Sequence, residues 1–306
     1  MGESAWTPAE IRARLVPPQL EPAPAEEPPL ERAEAEARAG DASEWTRVAA
    51  AADPRLPADL VARLAVDPSP TVRLTVSMRA ELSEEQRAAI DYHVGRNDRI
   101  TPARWATGTR DPEVQRRCAY SAHIGLRRSV ATNPFLTPDL IAVLAGDDGF
   151  AVRLLLCETH TDVPAETVLN AFLEARTMTR GRLLNHPSFR RVGLARLAGS
   201  PDPQARALAA LDPEAPPELI ERLSHDAHPM VRMWTADDAR LSPGRVLELF
   251  DDPATTGAAA ANRQLPVPLM HRILDDAAAL THEVIKGKLA VYLGHWSPED
   301  LPPDED

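Results

Sequence analysis

The feature that most constrains this chain is a short stretch that returns at intervals. "DPSPTVR" (Asp67 to Arg73) comes back as "DDGFAVR" (Asp147 to Arg153) and "DAHPMVR" (Asp226 to Arg232). In each copy an aspartate stands six residues before an arginine that follows a valine. Around these copies runs a longer recurrence: "LPADLVARLAVD" from Leu56, "LTPDLIAVLAGD" from Leu136, "APPELIERLSHD" from Ala215, "LSPGRVLELFDD" from Leu241 and "LPVPLMHRILDD" from Leu265. Each opens on an apolar anchor and a proline near the first helical position. Apolar residues then fall on one helical face, as Leu60, Val61 and Leu64 do. Looser copies start at Leu82, Ile100 and Val163. The anchors predict about nine units with a period of roughly 24–27 residues.

The second half of each unit reads "VRLTVSMRA", "VRLLLCETH" or "VRMWTADDA", with "ARALAALDP" as a variant, and runs into an Asn-Pro or Asp-Pro turn. A unit is therefore helix, turn, short helix, turn. It is too small to hold a core of its own and must stack on its neighbours. Composition agrees with many small, closely packed helices: aromatics are only 4% of the chain, and strand signals are weak throughout.

Charge divides the chain. Residues 1–45 carry ten acids against four bases, and the tail 297–306 carries five acids and no base. The stretch 16–42 is rich in Pro, Glu and Ala and poor in large apolar groups. Residues 1–45 are thus expected to be a mostly disordered acidic segment, with a short amphipathic helix over 4–15. Residues 46–296 form the repeat body with a helical C-terminal cap. Only Lys286 and Lys288 are lysines, so arginine abundance alone says nothing about phosphate binding. Cys118 and Cys157 have no metal or disulfide-framework spacing, no charged and apolar leader opens the chain, and no apolar run is long enough to span a membrane. The expectation is a cytoplasmic protein with no membrane contact.

The pattern of apolar-Pro-x-x-Leu-apolar-x-x-Leu-x-x-Asp, then Val-Arg, then an Asn-Pro or Asp-Pro turn resembles the leucine-rich repeat variant family. That family is similar in appearance to HEAT-like repeats. The resemblance covers about residues 47–276 and implies an all-α, right-handed superhelical solenoid of α-helices alternating with short 3₁₀-type helices. One member of that family carries an iron–sulfur cluster on N-terminal cysteines; the N-terminal region here has no cysteine, so no cofactor is carried over. HEAT-like repeats have an Asp–Arg ladder between units, and Asp67, Arg73, Asp147, Arg153, Asp226 and Arg232 match that role, with Asp111 and Arg117 matching by spacing. The physical basis is independent of the family. An aspartate can cap the amides of the next helix, and an arginine fork can bridge a carboxylate across the stacking interface.

Motifs for catalysis are absent: there is no HExxH, P-loop, GxGxxG or GxSxG. His225, Asp226 and His228 crowd one turn, but the copies of that turn at Asp67 and Asp147 lack histidine, so no metal site is expected. Trp234 and Asp238 share a helix face, and packing is the simpler reading. The sharpest departure is electrostatic. From Ala175 to Gly199 there are six arginines, Arg176, Arg180, Arg182, Arg190, Arg191 and Arg196, and no acid, in the unit where the repeat is least regular. A weaker basic group comprises Arg104, Arg110, Arg116, Arg117, Arg127 and Arg128. Such a run is either a solvated face or a binding surface for an acidic protein segment, a phosphate-bearing ligand or the chain's own acidic tails. The expected function is a non-enzymatic scaffold that binds another protein. The alternative is nucleic-acid binding, with or without repair chemistry, through the 176–196 arginines.

Overall fold

The computed structural model describes residues 30–279, apart from 97, 177, 276 and 277; residues 4–15 and the tail 297–306 lie outside these. The described residues are helical with intervening turns and no strand, so the chain is all-α. They fall into two units, one ending at His160 and one starting at Thr161.

Helices open two residues after the anchors Leu56, Leu82, Leu136, Val163, Ala215 and Leu241, at Ala58, Glu84, Pro138, Ala165, Pro217 and Pro243. Proline occupies the first helical turn of Pro70–Ser77, Pro112–Ala119, Pro138–Ala145, Pro203–Ala209, Pro217–Ser224, Pro229–Thr235 and Pro243–Asp251. There its fixed φ suits the helix and its missing N–H is no loss. The residue before it supplies the cap at Ser69, Asp111, Asp202, His228 and Ser242. None of these helices exceeds 10 residues, so each depends on packing rather than on its own propensity.

In each unit, like packs on like. In the first, Glu44–Ala52 lies against Pro70–Ser77, Arg104–Thr107 against Ile124–Ala131 and Ile124–Ala131 against Phe150–Thr159; Arg32–Ala39 lies against Ala58–Leu64 and Pro112–Ala119 against Pro138–Ala145. In the second, Pro203–Ala209 packs on Pro229–Thr235, and that helix on Thr256–Ala259. The buried faces are Ala, Val and Leu. One cluster holds Leu56, Leu60, Val61, Leu64, Val72 and Val76; another holds Leu219, Ile220, Leu223, Val231, Val246 and Leu249.

Two kinds of turn recur among the described residues and tie neighbouring helices together. At the first, the Asp67 carboxylate accepts the Ser69 N–H at 2.8 Å, and Asp147, Asp226 and Asp252 do the same for Gly149, His228 and Ala254. The guanidinium that meets each carboxylate comes from 20 residues earlier: Arg47 on Asp67, Arg127 on Asp147, Arg206 on Asp226 and Arg232 on Asp252, with Nε–O distances of 2.8, 2.6, 2.7 and 3.3 Å. The Nη1 of each arginine also donates to two carbonyls of its own first turn, as Arg206 does to Ser200 and Pro201. Thus Arg73, Arg153 and Arg232 donate to the backbone carbonyls of Asp67, Asp147 and Asp226, not to their carboxylates. At the second turn, buried carbonyls take donors from further along the chain. Asn133 Nδ2 reaches Ala106 and Thr109, and Asn262 Nδ2 reaches Ala236 and Asp238. Elsewhere a guanidinium takes the part: Arg79 bonds Ala51 and Asp53, and Arg240 bonds Ala210, Asp212 and Ala215.

Four expectations change. Residues 30–45 are not disordered: Arg32–Ala39 is a helix whose Ala35 and Ala39 are buried, and Arg32 forks onto Asp59 at 2.8 and 2.7 Å. Glu, Ala and Arg are good helix formers, and an alanine face packs closely once a repeat is there to receive it. The short helices are α rather than 3₁₀; 3₁₀ helix is confined, among the described residues, to Met178–Asn185 and Leu194–Gly199. Asp111 caps Pro112–Ala119, while Arg117 lies over the Trp105 ring, so this pair is no ladder. Finally, the helix of the Ile100 copy, Arg104–Thr107, opens four residues after its anchor rather than two. Residues 89–96 and 98–103 are a non-helical strap, on which Arg128 bonds the carbonyls of Gly95, Arg96 and Asp98 and Tyr92 stacks on His123 at 4.2 Å.

Candidate functional site

The arginine-rich stretch occupies the unit that departs most from the repeat. Ala165–Glu174 ends at Ala175, and the chain continues as two 3₁₀ helices joined by a turn with Gly193 at φ 86°, a left-handed conformation that glycine adopts without strain. Leu183, Phe189 and Leu194 point inward, with Phe189 edge-on to Phe172 at 6.2 Å. Two polar ties hold the stretch to its unit: Ser188 Oγ donates to Thr161 O at 2.9 Å, and the Ala195 N–H donates to Asp212 Oδ2 at 2.8 Å. The apolar residues take the inner side, and the arginines are left on the other.

The structure separates the six arginines into two groups. Arg182, Arg190 and Arg191 are exposed and make no ion pair or hydrogen bond with any described residue. Arg196 donates to Gly193 O and reaches Glu166 at 3.2 Å, a pair exposed enough to contribute little. Arg176 and Arg180 form a corner. The Nη1 of each donates to the Ala175 carbonyl, at 3.3 and 3.4 Å; Arg176 also reaches Leu173 O and Gln204 Oε1, and Arg180 lies over the Phe172 ring at 5.2 Å. Neither has a carboxylate partner among the described residues.

The sequence does not announce a second role for Arg180. It stands 26 residues before Arg206, as Arg206 stands before Arg232, and it donates to the carbonyl five residues earlier, as the ladder arginines do. Twenty residues on, where Asp67, Asp147, Asp226 and Asp252 stand in the other copies, this chain has Ser200. Ser200 keeps the turn, its Oγ accepting the Asp202 N–H at 3.1 Å, but it brings no charge. The recurring interval of 20 residues from Arg to Asp was the available signal. The interval of six within one copy is more conspicuous and concealed it.

The other candidates are engaged in packing. In the weaker basic group Arg127 belongs to the ladder, Arg128 is buried on the strap and Arg110 lies over Phe135 at 4.1 Å; Arg116 reaches Asp139 at 3.6 Å. Both oxygens of Asp226 meet Arg206, and His228 Nδ1 accepts the Met230 N–H; no group of three metal-ligating side chains occurs among the described residues. Trp234 packs on the core of its unit, and Asp238 is gripped by Arg240 at 2.9 and 2.6 Å, which holds its carboxyl below the usual range against the opposing effect of burial. Burial pushes the Cys118 and Cys157 thiols up to about 11 and about 12, which makes them unreactive near neutrality. No described helix is long and apolar enough to cross a membrane. Comparison with protein-family models, with curated proteins and with solved structures finds no match to this chain.

Proposed function

We propose that this chain is a non-enzymatic interaction scaffold of the cytoplasm, a right-handed α-solenoid of leucine-rich-repeat-variant or HEAT-like units, whose arginine-bearing unit binds an acidic segment of another protein. The contacts of like helices within each unit and the recurring Arg–Asp ladder support the repeat reading. A repeat array offers a wide surface at small cost in loop ordering, which suits recognition. The observation that carries the partner is the contrast between arginines. Those of the ladder and the second turns are committed to carboxylates and carbonyls, whereas Arg182, Arg190 and Arg191 present charge with no partner among the described residues, on one acid-free stretch.

The test is a titration of the full chain with a fluorescently labelled ten-residue glutamate peptide, followed by anisotropy at low and physiological salt. Binding that weakens with salt, and is lost in the double variant Arg190→Glu with Arg191→Glu, is the expected result. No binding at low salt would sink the reading. Preference for a single-stranded oligonucleotide over the peptide, with a steep salt slope, transfers the surface to nucleic acid, the other reading the same arginines allow.

A further inference from the structure

We infer that the partner's acidic segment places one carboxylate at the corner formed by Arg176 and Arg180, completing the ladder position that the chain leaves uncharged at Ser200. The inference rests on the function proposed above and specifies where and how the acid is read. In the intact positions a guanidinium fork meets one carboxylate, on both its oxygens at 2.7 and 2.9 Å for Arg206 on Asp226 and at 2.6 and 3.4 Å for Arg127 on Asp147, and on one oxygen for Arg232 on Asp252. At Arg180 the arginine remains and the carboxylate 20 residues on does not, as is also so for Arg73 and Arg153, which have His93 and Leu173 at that interval. Arg180 keeps the backbone contact of a ladder arginine, and Ser200 keeps the turn. What is missing is the negative charge.

The corner has a second property that the intact positions lack. Arg176 and Arg180 donate to the same carbonyl, Ala175 O, so two like charges sit side by side, neither paired with a carboxylate of the described residues. Gln204 Oε1 holds Arg176 on the side of the neighbouring helix Pro203–Ala209. The Ser200 hydroxyl accepts from Asp202 N and keeps its own hydrogen for an incoming oxygen. A side-chain carboxylate entering here gains charge-assisted bonds from two forks and relieves their repulsion. Exposed Arg182, Arg190 and Arg191 supply attraction at longer range for the rest of an acidic peptide. Recognition by single carboxylates favours a polypeptide over a nucleic-acid backbone.

The deciding variant rebuilds the missing position inside the chain. Ser200→Asp puts an aspartate where four other copies have one, so it is expected to fold, to raise the melting temperature and to compete with the partner. Its affinity for the ten-residue glutamate peptide should fall about tenfold or more, the scale of losing one charge-assisted hydrogen bond. Arg180→Gln should weaken binding to the same extent without raising the melting temperature. Val192→Asp adds the same charge on an exposed residue of the arginine stretch and should weaken binding about threefold at most, through screening of the face alone. If Ser200→Asp leaves the affinity unchanged, or Val192→Asp weakens it as much, the corner is not the site. In that case loss of binding in the Arg190→Glu, Arg191→Glu variant would still uphold the scaffold reading. A wild-type chain that binds no glutamate peptide overturns both.

Discussion

His123 is buried against Tyr92 and caps Ile124–Ala131, with Nδ1 accepting the Gly125 N–H at 3.0 Å. That bond fixes the proton on Nε2, which donates to Ser77 Oγ at 2.8 Å, and Ser77 in turn donates to Leu74 O. Burial, reinforced by Arg87 and Arg127 and opposed by Glu84, pushes the imidazole down to about 4 from an ordinary 6.5. The unfolded chain therefore takes up this proton first as the pH drops. The stability contributed by the neutral ring is complete above 6.5 and is lost progressively between about 6.5 and 4, at most about 3 kcal/mol. Carboxylates act lower: Asp53, held down to about 2 by Arg55, gives up its contribution only as the pH falls from its ordinary 3.8 toward 2. Urea midpoints at pH 7 and pH 4.5 should differ clearly for the wild type. They should differ much less for His123→Asn, which keeps a capping acceptor and has no proton to gain. An equal drop in both proteins would show that another group titrates in this window. The cap itself was open to sequence reading, since His123 stands four residues before Arg127 as Ser69, Asp202 and His228 stand before Arg73, Arg206 and Arg232; the burial that lowers its proton affinity was not.

Among the helices, a stabilising element is the arginine that joins its own first turn to the turn 20 residues on. Arg127 illustrates it, with Nη1 on the Ser121 and Ala122 carbonyls and the rest of the fork on Asp147, both side chains being mostly buried. A double-mutant cycle on Arg127→Gln and Asp147→Asn should give a coupling of about 1–2 kcal/mol, above the range of exposed pairs because little solvent screens the contact. The same cycle on Arg153 and Asp147, six apart in sequence, should give much less, since Arg153 meets the Asp147 carbonyl and not its carboxylate. Comparable couplings in the two cycles would refute the assignment. The helix starts were legible because each rests on local chemistry, an anchor followed two residues later by a helix with proline or a cap at its head. The ladder was legible only in its members. Asp67, Asp147 and Asp226 are conspicuous, but their partners sit 20 residues back in the preceding copy, and only the fold brings them together. "DPEVQRR" misleads for a related reason: both helices of a repeat can begin with Asp-Pro, so the start signal does not tell which helix of the pair follows.

For the molecule as a whole, a repeat array and a single globular core differ in what happens when one period is removed. In an array each unit leans only on its neighbours, so excising one period in register leaves every remaining interface with an equivalent partner. Deletion of residues 203–228 provides the cut: Asp202 then runs directly into Pro229, which replaces one Pro-initiated helix by the next. Arg232 inherits the place of Arg206, with the Ser200 and Pro201 carbonyls behind it and Asp252 still ahead. Leu219, Ile220 and Leu223 leave together with their own helix, so no half-filled cavity remains at the join. The shortened chain should stay helical by circular dichroism, unfold cooperatively and melt somewhat below the parent. Removing residues 210–235, the same number of residues out of register, joins two segments with mismatched turns and should give an insoluble or molten product. If the in-register deletion fails as badly as the out-of-register one, the units are not interchangeable and the solenoid reading falls; if it folds and still binds the glutamate peptide, the acid-reading unit is confined to the residues before Pro203.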